Sequence, residues 1–217
     1  MFGKSFVGLA LLSLVSTALA SPLVELEERA ACKKKSYGAF KLYAAPVGQP
    51  ASEWQQVKLI DLYTPRPLND TISALSVCPD ASCGRAPAYW VLKDQILEAV
   101  FTDAQEGWRT VNKALVKDDT VKFVTSDAAS IAKQLAPVYC ATRNPKTSSG
   151  LPGYLSASGS AEYFSMCTNF PTVGTPERAD IYYKAVTPST GGELERYCTK
   201  VHLVMQGIGI VPEPIPA

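Results

Sequence analysis

The chain has 217 residues, with 21 Lys and Arg against 20 Asp and Glu, six cysteines and one histidine. A formal charge of +1 leaves no global electrostatic footprint for DNA or RNA, and 47% apolar with 19% charged residues excludes a disordered charged tail. One histidine cannot build a multi-histidine metal site. No metal site and no cofactor are assigned.

The first element is a presequence. Lys4 supplies a positive start, Phe6 to Leu14 an apolar stretch, and Ala18-Leu19-Ala20 the small-x-small pattern ahead of a cleavage site. The apolar run of about 15 residues is shorter than the roughly 20 a membrane span needs. Residues 1–20 are therefore read as a signal peptide. Residues 21–29, ending in Glu27-Glu28-Arg29, have the acidic-then-basic form of a short propeptide cut after Arg29. Removal of 29 residues from 217 leaves 188, a length that fits a single domain, placed at 30–210.

Strand patterns dominate that domain. Phe40 to Ala44 alternates with period two, and Val57 to Tyr63 does so less cleanly. Ala88 to Leu92 and Ile96 to Phe101 flank Lys93-Asp94-Gln95, a hairpin signature. Val111, Val121 to Val124, Tyr163 to Met166, Ile181 to Val186 and Val201 to Met205 add further strands. Pro65 to Asn69, Asn144 to Gly153 and Thr187 to Gly192 read as loops. One short helix is expected over Asp127 to Leu135, with Asp127 as cap and Ile131 and Leu135 on one face. Prolines at alternating positions make 211–217 an extended tail. The expected fold class is all-β, either β-trefoil-like or a small barrel or sandwich, with faint repetition among Phe40–Ala44, Tyr89–Phe101 and Ile181–Met205.

A secreted chain with an even cysteine count is expected to carry disulfides, although six cysteines allow 15 pairings. Cys78 and Cys83 are close enough to close a small loop. Cys167 and Cys198 stand at the ends of strand patterns and are paired with each other, which leaves Cys32 with Cys140. Asn69-Asp70-Thr71 is a glycosylation sequon at Asn69.

Motifs with chemical content are few. Ser130-Ile-Ala-Lys133 matches S-x-x-K, and Lys146-Thr147-Ser148 falls one glycine short of K-T-G. Without a third element, both are weighed as chance matches. A histidine-dependent nucleophile would have to use His202, but the alternation of Val201, Leu203 and Met205 reads it as an ordinary strand residue. A carboxylate pair could hydrolyse glycosides without histidine. The candidates are Asp94, Glu98, Glu106, Glu162 and Asp180, none in a recognisable motif. No catalytic residue is assigned. Trp54, Trp90 and Trp108, with ten tyrosines, could stack on sugars, or could simply pack the core. Lys33-Lys34-Lys35 is read as a solvated run, with anionic polymer contact as the alternative.

Three stretches carry a family resemblance. Phe40-Lys-Leu-Tyr-Ala-Ala-Pro-Val-Gly48, Ala88-Tyr-Trp-Val-Leu-Lys-Asp-Gln-Ile-Leu97, and Tyr163-Phe-Ser-Met-Cys167 followed by Asp180-Ile-Tyr-Tyr-Lys184 and Tyr197-Cys-Thr-Lys-Val201 resemble small secreted fungal cell-wall proteins of the phialide (PhiA) type. The resemblance touches under half of the mature chain. It implies a β-rich extracellular or wall protein with no established catalytic residue, so none is carried over. The expected role is non-catalytic, in wall structure or host interaction. Wall polysaccharide or a host extracellular protein is the expected partner. A glycan-binding module and a small carbohydrate-active hydrolase are the alternatives.

Overall fold

The computed structural model describes residues 32, 34–64, 70–78, 83–142, 153–168, 178–185 and 197–208. The signal peptide, the propeptide, Asn69, Lys33, Lys146 to Ser148 and the tail at 211–217 lie outside them.

Strands follow one another in three units. The first holds β1 (Tyr37–Pro46), β2 (Gln55–Tyr63), β3 (Thr71–Val77) and β4 (Tyr89–Lys93). The second holds β5 (Ile96–Val100), β6 (Trp108–Asn112), the two-residue β7 (Asp119–Thr120), β8 (Lys122–Asp127), helix α1 (Ala128–Ala132) and β9 (Tyr139–Thr142). The third holds β10 (Gly153–Ala157), β11 (Phe164–Thr168), β12 (Ala179–Tyr183) and β13 (Tyr197–Gly207).

The pairing has a threefold logic. Each unit closes an antiparallel hairpin from its inner strands: β2 with β3, β6 with β8, β11 with β12. The last strand of each unit pairs with the first of the next: β4 with β5, β9 with β10, and β13 back to β1. The three units meet at one residue from each. Leu75 donates its amide to the Val121 carbonyl at 2.8 Å, and Val121 donates to Ile181 at 2.7 Å. All three side chains are fully buried. Hydrogen-bonded neighbours run β1-β4-β5-β6-β8-β3-β12-β11-β13 and return to β1, a closed nine-strand circuit, with β2 bridging β1 and β3. The all-β, disulfide-stabilised barrel of the expectation is therefore what forms, in its trefoil-like version.

Local sequence explains the strands that position the interior. In β1, Phe40, Leu42 and Ala44 point inward while Lys41 and Tyr43 are half-buried. Trp90 and Leu92 of β4 and Leu97 and Ala99 of β5 repeat the alternation. The turn between β4 and β5 consists of Asp94 and Gln95, with φ of 49° and 69°. A two-residue turn with both central residues left-handed matches the twist of its flanking strands. Leu42, Leu97 and Leu155, on the first strand of each unit, are fully buried. Each contributes about 1.5–3 kcal/mol by leaving water.

Four strands had no counterpart in the expectation: β3, the two-residue β7, β9 and β10. Gly153, assigned to a loop, opens β10. The helix is also shorter than expected. Asp127 caps it through the amides of Ala129 and Ser130, and Ile131 is buried beside Ile72, Val111 and Val124. It ends at Ala132, and Leu135 is 41% exposed. The turn bonds at Lys133 and Gln134 close the helix before Leu135 can reach the face that holds Ile131.

Candidate functional site

The cysteines pair as Cys32–Cys140, Cys78–Cys83 and Cys167–Cys198. The first of these builds a cavity. Between β5 and β9 the regular ladder gives way to a seam held by one residue. The Gln95 carbonyl accepts the amides of Val138 at 3.1 Å and Tyr139 at 3.0 Å. The N-terminal segment lies across that seam as a strap. Lys34 O accepts the Ala141 amide at 2.9 Å, Lys35 O accepts the Gln95 amide at 2.8 Å, and Ser36 Oγ accepts the Asp94 amide at 3.0 Å. The disulfide from Cys32 to Cys140 on β9 fixes the strap covalently. Gln95 Nε2 reaches Cys32 Sγ at 3.4 Å.

Beneath the strap is a cavity of about 580 Å³, within the usual range for small-molecule sites. Leu115, Ala136, Pro137 and Val138 form an apolar wall. Lys35, Gln95, Ser158 and Tyr183 supply the polar lining. Ser158 and Gly159, at φ of 49° and 80°, make the tight turn that brings Ser158 Oγ to 3.3 Å from Tyr183 OH. Among the described residues of this lining Lys35 is the one charged at neutral pH, and no described carboxylate forms an ion pair with it. Further in, the phenol of Tyr139 is fully buried, stacked on Phe164, and has no hydrogen-bond partner among the described residues. Burial, with Tyr183 adding to it, pushes its ionisation far above the ordinary tyrosine range.

Of the residues singled out in the sequence, Cys32, Cys140 and Lys35 line this cavity; the candidate carboxylates do not. Asp94 occupies the exposed β4–β5 turn, and Glu106 an exposed loop before β6. Glu98 receives a two-pronged bond from Arg109, at 2.9 and 2.6 Å. That bond, opposed by partial burial and reinforced by the Glu98 charge, raises the Arg109 pKa further. Asp180 is buried, accepts the Ser76 hydroxyl and lies 3.3 Å from Arg178. Glu162, on the β10–β11 connection, lies 2.8 Å from His202 Nε2. The five carboxylates thus sit on five separate segments. The His202 ring also stacks on Tyr154 at 4.5 Å. Val201, Leu203 and Met205 are buried and His202 is only half-buried, but Val204 on the His202 face is buried too, so the alternation holds only in part. Burial and the Glu162 charge raise the Tyr154 phenol pKa.

Ser130 is a helix-cap residue. Its hydroxyl donates to Asp127 Oδ2 at 2.8 Å, while Lys133 ends the helix on the exposed surface. Trp90 is fully buried and packs edge-on against Phe123 at 5.4 Å, so it cannot offer a face to a sugar. Trp54 and Trp108 are half-exposed. Lys34, within the lysine run, lies 4.4 Å over the Tyr37 ring. Among the described residues no group of three His, Cys, Asp or Glu could hold a metal ion, and no helix is long and apolar enough to cross a membrane. Sequence reasoning named Cys32 and Cys140 but missed Lys35 as a lining residue, together with Gln95, Ser158 and Tyr183. The available signals were the place of Lys35 three residues after a paired cysteine and its membership of the Lys33-Lys34-Lys35 run, read as solvated.

Fold and cavity together define a class: a trefoil-like β domain braced by three disulfides, with a small-molecule-sized cavity behind one of them. Compared with known proteins, the chain matches no family model, no curated protein and no solved structure.

Proposed function

We propose that this is a secreted fungal protein of the cell wall or apoplast that acts by binding rather than catalysis, in wall structure or host interaction. The observation that carries the reading is the covalent bracing. One disulfide ties the N-terminal strap to β9, one closes the short loop after β3, and one staples β11 to β13. Cross-links of that kind suit an oxidising compartment. The presequence at 1–29, the sequon at Asn69 and the wall-protein resemblance support the same reading. So does the use of the polar groups weighed for chemistry: Ser130 serves a helix cap, Glu98 is held by Arg109, and Asp180 by Ser76.

Fractionation of a tagged strain tests it. The expected result is a form beginning at Ala30 in the medium or wall, shifted in mobility by removal of an N-linked glycan. Retention of the tag inside intact cells overturns it.

A second reading, glycan binding, is favoured by the half-exposed Trp54 and Trp108. A wall-polysaccharide array with each tryptophan replaced singly tests it. No binding to any polysaccharide ends it.

A further inference from the structure

We infer that the cavity behind the Cys32–Cys140 bond is a binding site for a small monocarboxylic acid with an apolar body. The chemistry of the lining selects this class. Leu115, Ala136, Pro137 and Val138 give the lining apolar surface that rewards a ring or short chain leaving water. Lys35 adds a cation to the same lining, and among the described lining residues there is no carboxylate to neutralise it. Two hydroxyls, Ser158 and Tyr183, lie 3.3 Å apart and can share a further oxygen.

Other ligand classes fit less well. A metal or ammonium ion finds no anionic partner among the described residues of the lining. An inorganic phosphate would leave the apolar residues of the lining unused. A free sugar would set its hydroxyls against the apolar side chains of Leu115, Ala136, Pro137 and Val138.

The strap makes the site a property of the oxidised fold. Lys35 is three residues from Cys32, and its own carbonyl is held by the Gln95 amide at 2.8 Å. The charge is therefore presented from a fixed main chain. A flexible ammonium on a fixed stem suits a carboxylate that enters from the open side. This inference concerns the folded domain wherever it acts, so its failure leaves the secreted-protein reading untouched.

The test uses the purified, oxidised chain and calorimetric titration with cinnamate and decanoate, each compared with its neutral counterpart, cinnamamide and decanol. At least one acid should bind saturably at one site per chain, about tenfold more tightly than its neutral counterpart, the value of one charge-assisted bond. Lys35→Met should erase that preference and Lys35→Arg should keep it. Lys35 is exposed, so both variants are expected to fold, and near-ultraviolet circular dichroism checks this. In amide-resolved NMR the shifts should centre on Gln95, Val138 and Gly159. Absence of binding by both acids, equal binding of acid and neutral counterpart, a preference that survives Lys35→Met, or shifts centred elsewhere would each overturn the assignment.

Discussion

Asn112 Nδ2 donates to the Ala136 carbonyl at 2.8 Å, and through this bond the second hairpin holds the wall of the cavity. The same side chain accepts the Leu97 amide at 2.7 Å through Oδ1 and donates to Lys113 O at 3.1 Å. Asn112 is fully buried, so it links β5, β6 and the segment leading into β9 with water excluded. Asn112→Leu should strand a buried amide and a buried carbonyl at once, for a loss of about 2–4 kcal/mol. Urea unfolding checks the magnitude. Hydrogen exchange at Leu97 checks the mechanism, because that amide should lose protection ahead of the remaining core.

The three disulfides should not contribute equally. Their sequence separations are 108, 31 and 5 residues for Cys32–Cys140, Cys167–Cys198 and Cys78–Cys83. Loop-closure entropy then predicts losses of about 5, 4 and 2 kcal/mol when each pair is replaced by serine. Thermal unfolding of the three double-serine variants gives the order. A Cys78/Cys83 variant less stable than the Cys32/Cys140 variant would contradict it.

The strands legible in the sequence were those with one wet face. β1, β4 and β5 alternate, and Phe40, Trp90 and Leu97 announced them. β3 was missed because it has almost no wet face: every residue from Ile72 to Val77 is buried. Its serines look like loop residues in the sequence, yet Ser73 donates to Asp61 at 2.7 Å and Ser76 to Asp180. Those partners lie 12 and 104 residues away, beyond any local pattern. β9 and β10 are short and rich in small residues, Tyr-Cys-Ala-Thr and Gly-Tyr-Leu-Ser-Ala, which carry little periodicity. The cavity was illegible for the same reason. Lys35, Gln95, Leu115, Val138, Ser158 and Tyr183 come from separate segments that only the threefold closure brings together.

The three tryptophans should separate by experiment. Trp90→Ala removes a fully buried side chain in contact with Phe123 and should cost about 3–5 kcal/mol. Trp54 and Trp108 are only half-buried and should cost less. In native protein, acrylamide should quench the fluorescence of the Trp54→Phe, Trp108→Phe double variant least, because only Trp90 then emits. Quenching equal to that of the native chain would place Trp90 at the surface and contradict the packing.

The cap of α1 gives an acid dependence whose sign is fixed by geometry. Asp127 accepts the amide of Ser130 at 3.0 Å, its hydroxyl at 2.8 Å and the amide of Ala129 at 2.9 Å. The Ser130 amide, then the Ser130 hydroxyl, lead the effects that hold its pKa below the ordinary aspartate value, against a small opposing effect of desolvation. A carboxyl depressed in the folded state contributes stability above its unfolded pKa of about 3.9, and that contribution fades as pH falls through the folded value. Asp127→Asn keeps an oxygen acceptor for the helix amides but cannot titrate. It should flatten the acid limb of stability below about pH 4 relative to the native chain while remaining close to it at neutral pH. Asp127→Ala should be less stable than both at neutral pH, with the same flattened limb. Urea midpoints measured from neutral pH downward decide the matter: if the asparagine variant keeps the full native acid limb, Asp127 does not titrate as its bonds require.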